Sequence, residues 1–294
     1  MQKLKIKKSM LSHLLPGLAS LAKRGLAGWL VILGAGLVIA VIVITVLSPV
    51  LSPYNPSSLN VGTRLSPPSF QFPFGTDDLG RDMLSRVISG GGIMLQVAIL
   101  SVIVCVIIGV PLGLFSSYTG GVIDRFISLI MDSVYAFPGL ILAIALTVVL
   151  GRGVINMAIS IAVVYVPSYF RIIRSQVLSI KETPYVEAAN AAGAKKRTVL
   201  SRYILPNTIP SIAVVATVNF ADAILTAAGL TFIGMGVSVE IPDWGWDLTN
   251  GRNLLPSGAW WVITFPGLMI ILLALGFTLM GEGLSELLNP RLEQ

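Results

Sequence analysis

The chain has 294 residues, of which 54% are hydrophobic and only 12% charged, about half the charge usual in a globular protein. A mean hydropathy of +0.85 calls for lipid around most of the surface and excludes a soluble globular domain. The net charge of +6 is not gathered into aromatic-interleaved basic patches, so membrane lipid, and no nucleic acid, is the expected surrounding.

In chain order, residues 1–25 form a basic tail, followed by six apolar runs long enough for a helix to cross the hydrocarbon core. The runs are 26–47, 93–115, 126–150, 154–170 with an extension toward 178, 209–230 and 259–281. The first follows basic residues as a secretory signal would. It is too long for one, and it leads into Ser48-Pro-Val-Leu-Ser-Pro-Tyr-Asn-Pro rather than a small-residue cleavage site, so it reads as an uncleaved anchor helix.

Residues 48–92 form a Pro-, Ser- and Gly-rich extracytoplasmic loop, 93–281 a core of five spans, and 282–294 a short tail. Pro138, Pro167 and Pro266 are expected to kink their spans, with Gly139 and Gly267 allowing close helix contact. The second outer segment, 231–258, carries Pro242, Trp244 and Trp246, and Trp260 and Trp261 follow it; these aromatics read as headgroup-level anchors. The fold class is all-α, an integral membrane protein of six transmembrane helices.

Most of the 20 Lys and Arg fall on one side if the amino terminus is inside: the tail, Arg125, the stretch from Arg171 to Arg202, and Arg291. Cations are retained on the cytoplasmic side, so both termini are expected there, in a multi-pass protein of the cell membrane.

The chemistry of catalysis is missing. One cysteine, Cys105, lies in an apolar run and one histidine, His13, in the basic tail, which excludes an intramolecular disulfide, a cysteine metal cluster and a histidine-based triad within the membrane. No phosphate-binding Gly-x-x-x-x-Gly-Lys-Ser/Thr loop occurs, since Gly193-Ala-Lys-Lys-Arg-Thr lacks the spacing. The chain is therefore expected to be a non-enzymatic subunit with no cofactor and no metal, driven by a partner.

Two acids, Asp132 and Asp222, lie in or beside apolar runs, where ionisable groups are expensive. They read either as lining a translocation path or as hydrogen-bonded carboxyls near a helix end. Ahead of the second span, Gly75, Asp77, Asp78, Gly80, Arg81 and Asp82 mix turn formers with opposite charges. Asp contacts to backbone and to Arg there are expected to set how the helix enters the membrane.

The loop 179–207 is the informative one. Thr183-Pro184 reads as a capped helix start and Gly193 as a helix stop, giving a short helix with Ala188, Ala189, Ala191 and Ala192 on a thin surface and Glu187 as its acid. A second helical stretch over 195–203 carries the cations and ends at Leu205-Pro206, where the fifth span begins. Two short helices joined at a glycine make a knob suited to docking a soluble partner.

Glu187-Ala-Ala, Gly193 and Ile204-Leu-Pro206 resemble the EAA loop of permease subunits of ATP-binding-cassette importers, although Tyr203 stands where that pattern more often has isoleucine. Six further segments resemble the C-type permease subunit of dipeptide, oligopeptide and nickel importers. They are Phe74 to Arg86, Gly120-Gly-Val-Ile-Asp124, Ala136-Phe-Pro-Gly139, Phe232 to Gly236 with Pro242-Asp-Trp-Gly245, Phe265-Pro-Gly267, and Gly281 to Arg291.

The resemblance implies a type I importer permease whose coupling helix, at Glu187, Ala188, Ala189, Gly193, Leu205 and Pro206, inserts into an ATP-hydrolysing subunit. The implied partners are a second homologous permease, two ATP-binding subunits holding ATP and Mg, and an extracytoplasmic solute-binding protein. The implied cargo is a dipeptide or oligopeptide, with nickel chelates or oligosaccharides as the alternative within the same class. A stand-alone ion-coupled transporter is the rival; it would show an inverted repeat and no docking knob.

Overall fold

The computed structural model describes residues 21–288 apart from 23, 238 and 239. His13, most of the basic tail, and the Asn289-Pro290-Arg291 end of the last motif lie outside the described residues. Among the described residues the elements are all helices, with one isolated bridge between Thr76 and Asp82.

In order they are α1 (Gly25–Val46), α2 (Ser48–Leu51), α3 (Met83–Ser89), α4 (Gly91–Thr119), α5 (Gly121–Tyr135) and α6 (Gly139–Leu150). Then follow α7 (Val154–Ile180), α8 (Pro184–Ala191), α9 (Lys196–Val199), α10 (Leu205–Phe232), α11 (Trp244–Leu254) and α12 (Trp261–Leu287). Five helical stretches are long and apolar enough to cross a membrane, and the α5–α6 pair makes a sixth if taken as one span.

That pair corrects the sequence reading. Residues 126–150 were expected to form one span, but α5 and α6 meet at 92°. Pro138 supplies no N–H and sits with an extended ψ of 119° as the N-cap of α6, and a residue preceding proline is pushed out of the α region. The result is a corner rather than a kink.

Close backbone approach holds the bundle together. A Cβ on Gly109 would lie 2.7 Å from Tyr169 Cβ, and one on Gly113 would lie 2.9 Å from Ile173 Cβ, so this i, i+4 pair seats α4 against α7. A Cβ on Gly34 would meet Gly276 O at 2.5 Å, which brings α1 onto α12. The central core joins Met94 and Val97 of α4, Ile161 of α7, Ile224 of α10 and Leu273 of α12. A second core runs along α7 through Ile173 and Val177 to Val186 on α8 and Val199 on α9. Outward faces stay apolar, as at Ile107, Val149 and Ile271, which suits lipid contact.

Candidate functional site: the docking knob, the folded cap and a polar cavity

At one end of the bundle, α8 starts at Pro184 and ends in a Schellman turn, with Ala194 N donating to Ala189 O at 3.0 Å and Gly193 N to Asn190 O at 2.9 Å. Gly193 has φ +79°, a conformation costly to residues with a Cβ. The expected hydroxyl cap is absent: Thr183 Oγ1 instead donates to Ile180 O at 2.6 Å, in the turn it leaves behind. Glu187, Ala188 and Gly193 are exposed and Ala189 is half-buried, while Val186 is fully buried against the second core. Burying one such side chain is worth about 1.5–3 kcal/mol. Two further contacts tie the helix down, Tyr118 Oη to Asn190 Oδ1 and Asn207 Nδ2 to Tyr185 Oη, both 3.3 Å.

The helical stretch expected over 195–203 forms, but it does not end at Leu205-Pro206. After α9 the chain passes through a π turn, Leu200–Ile204, directly into α10. Leu205 N donates to Leu200 O, five residues back, and Pro206 brings no donor, so the ladder widens here instead of breaking. Tyr203 lies in that turn, partly exposed.

At the other end, residues 48–82, α3 and α11 fold into a cap. Gly75 and Gly80 take φ of +73° and +70°. Asp77 Oδ1 accepts from Leu79 N and Arg81 N, each at 2.9 Å, and its other oxygen pairs with Arg81 Nε. Asp82 caps α3, its Oδ2 accepting from Ser85 N at 2.9 Å and from Ser85 Oγ at 2.6 Å. Asp78 Oδ1 accepts from Asn250 Nδ2 at 2.7 Å, tying this motif to α11.

Arg86, fully buried, donates through Nε to Asp247 Oδ1 at 2.9 Å, with Nη2 2.7 Å from the same oxygen. Burial pushes the Asp247 carboxyl up and Arg86 opposes it. Asp243 caps α11 through Gly245 N at 2.9 Å, and burial drives its carboxyl up to about 7. The headgroup reading fails for two tryptophans. Trp244 is fully buried and donates to Val87 O at 2.7 Å, and Trp261, also buried, donates to Thr76 O at 2.9 Å. Their indole N–H groups found partners inside the cap, whereas Trp260 stays half exposed.

Asp132 and Asp222 are not brought together. Asp132 pairs with Arg171 Nη2 at 2.9 Å on an exposed face of α5, and Arg171 also lies 4.3 Å from the Tyr135 ring centroid. Asp222 lines a cavity of about 290 Å³ inside the α5–α6 corner, with Asn219, Tyr165, Ser168 and Tyr135. Sequence reasoning missed Asn219, although its i, i+3 spacing puts it on the Asp222 face of α10. It also passed over the pairing of Asp124 with Arg174, because the acid was noted only within a motif and the base only as a topology signal.

The family model described as binding-protein-dependent transport system inner membrane component matches residues 109–294. The dipeptide transport system permease protein DppC of Alkalihalophilus pseudofirmus is 40% identical over 264 residues, covering 90% of this chain and 86% of that protein. The glutathione transport system permease protein GsiD of Pectobacterium atrosepticum is 38% identical, covering 90% and 88%. The probable D,D-dipeptide transport system permease protein DdpC of Escherichia coli is 37% identical, covering 89% and 88%.

Among solved structures, a chain of the inward-facing MetNI methionine ABC transporter superposes with a TM-score of 0.56 at 19% identity. The match covers 70% of this chain and 98% of that one, which shows the importer permease fold expected from the sequence. The family match and the identity to these relatives together show that the chain belongs to the family of binding-protein-dependent transport system inner membrane components.

Proposed function

We propose that the chain is the permease subunit of an ATP-driven importer of short peptides, and that α8 receives the push of separate ATP-hydrolysing subunits. The observation carrying this reading is the mounting of α8. Its outer surface is bare, with Glu187 and Ala188 exposed, while Val186, Asn190 and Tyr185 lock it to α7, α4 and α10. A displacement of α8 is therefore delivered to three spans at once.

The small side chains of Ala188 and Ala189 let a groove wall come close, and Glu187 offers a charge for register. Gly193 ends the helix so that the chain can turn toward Leu205 and Pro206, the start of α10. The knob end is cytoplasmic in this reading, with both termini, and the cap end receives cargo from an extracytoplasmic solute-binding protein.

The path is completed by a second, homologous permease in the cell membrane, with the cavity at Asp222 on this chain's side of it. ATP and Mg are held by two partner subunits, and this chain catalyses nothing itself. The peptide cargo is supported by the relatives, whose names give dipeptide, D,D-dipeptide and glutathione transport.

The test is purification of the assembled complex from native membrane in mild detergent, with wild type and Glu187→Lys side by side. ATPase subunits and a second permease are expected to accompany the wild type and to be lost or weakened in the variant. A variant that keeps full ATPase association and uptake would remove α8 from the coupling role. Uptake assays with alanyl-alanine, a nickel chelate and an oligosaccharide then decide the cargo class.

A further inference from the structure

We propose that Asp222 and Asn219 form a binding site for a primary ammonium group, the α-ammonium end of a peptide in passage. The inference rests on the importer reading above and names what the cavity recognises.

The two residues stand one helical turn apart on α10 and line the same cavity of about 290 Å³. That is roomy against the roughly 30 Å³ share of one water, so the amino end of a peptide fits. The lining residues Asp222 and Asn219 each carry a side-chain acceptor without a partner among the described residues. Asp222 has no ion-pair partner among the described residues and is the charged residue of the lining.

Asn219 is 6% exposed, its Nδ2 donates to Val215 O at 2.9 Å, and its Oδ1 is buried with no hydrogen-bond partner among the described residues. Fixing the amide nitrogen on the helix backbone leaves the oxygen as the free end. A buried acceptor without a donor is costly, and an ionisable group within a span marks a site of function.

The surroundings do not neutralise the site. Arg171, beside the cavity wall at Tyr135, is held by Asp132 at 2.9 Å. Tyr165 Oη shares a hydrogen bond with Thr226 Oγ1 at 2.9 Å and lies 3.5 Å from the backbone oxygen of Asp222, so it is engaged away from both side-chain acceptors. A primary ammonium brings three donors and one positive charge, which answers a carboxylate and an amide oxygen together.

The experiment uses the full complex in liposomes with its binding protein and follows uptake of alanyl-alanine. Asp222→Asn is expected to lower uptake about tenfold, the loss of one charge-assisted contact, while complex assembly and ATPase turnover persist. Moving the carboxylate back by one turn, in the double variant Asn219→Asp with Asp222→Asn, is expected to restore most of the uptake. A purely structural role for Asp222 would not permit that rescue.

Saturation-transfer NMR on the wild-type complex without binding protein supplies a readout independent of folding of the variants. Alanyl-alanine is expected to bind and N-acetyl-alanyl-alanine not to. Full uptake by Asp222→Asn, failure of the double variant to rescue, or equal binding of the two peptides overturns the inference alone. No alanyl-alanine uptake by the wild type overturns the peptide reading and this inference with it.

Discussion

Asp124 on α5 and Arg174 on α7 meet in a two-point clamp, Nη2 to Oδ2 at 2.6 Å and Nε to Oδ1 at 2.9 Å. Ser116 on α4 donates to Oδ1 at 2.6 Å, so one carboxylate joins three helices at the end of the bundle that carries α8. Six residues past Arg174 α7 ends, and α8 follows within four more. A fork of two parallel N–H groups is what guanidinium has and ammonium lacks. Arg174→Lys is expected to lower stability by about 1–3 kcal/mol, the worth of a charged hydrogen bond, read as a fall in the thermal midpoint of the detergent-solubilised complex.

Gly193 is the next point where backbone geometry decides an outcome. Its φ of +79° is paired with open space where a Cβ would go, so Gly193→Ala meets strain without collision. The expected cost is about 1–2 kcal/mol, confined to the last turn of α8. Hydrogen exchange should show faster exchange at Gly193 and Ala194, with the protection of α7 unchanged.

The buried pair in the cap invites a double-mutant cycle. Asp247→Leu alone strands the fully buried Arg86 charge and is expected to cost about 3–5 kcal/mol. Adding Arg86→Met removes the stranded charge and should recover most of that loss. If the double variant is no more stable than the single one, the pair is not what holds α3 to α11.

Asp243 makes the cap sensitive to pH. Its carboxyl sits near 7 in the fold because burial penalises the charged form, against about 3.9 in an unfolded chain. Between these values the folded state keeps a proton that the unfolded state gives up, so stability falls as pH rises from about 4 to about 7. The cap is expected to melt at a higher temperature at pH 5 than at pH 8. Asp243→Asn keeps an oxygen for Gly245 N and should flatten this group's share of the difference, read as wild type minus variant.

The small-residue seam between α1 and α12 is tested by bulk. Gly34→Val would drive side-chain atoms into Gly276 O and Met280 N, each within about 2.6 Å of a bare Cβ. Strain of this kind costs about 1–3 kcal/mol or more. Disulfide cross-linking between cysteines placed across the seam should drop in the variant, with the α4–α7 contact undisturbed.

Much of the fold was legible because a helix in lipid must satisfy its own backbone, so span length and apolarity translate directly into elements. The ends of α1, α4, α7 and α12 fall within a few residues of the apolar runs, the extension of α7 included, apart from the continuation of α12 to Leu287. The third run failed at Pro138, because an apolar run gives the length of a span and does not register a change of direction within it.

The short helix at Pro184–Ala191 was legible from its proline start and glycine stop. Its missing Thr183 cap was not, since a threonine hydroxyl can accept from an N–H of the helix it precedes or donate to a carbonyl of the turn before, and here it donates to Ile180 O. The Trp244 and Trp261 readings failed for a related reason. An amphipathic ring at an interface and one buried in a cap have the same sequence signature until its N–H is seen to find Val87 O or Thr76 O.

The sequence by itself determined that the chain is a bundle of apolar helices with a knob and a loop-rich cap, and it carried the family in its motifs. Composition and local backbone preference act over a few turns, and both are written in consecutive residues. Only the tertiary structure decided that Arg86 meets Asp247, that Arg174 meets Asp124, and that Asp222 shares a cavity with Asn219 behind the α5–α6 corner while Asp132 does not. Those outcomes depend on which helix faces which and at what angle. That is settled by glycine seams and a proline corner whose partners lie tens of residues away.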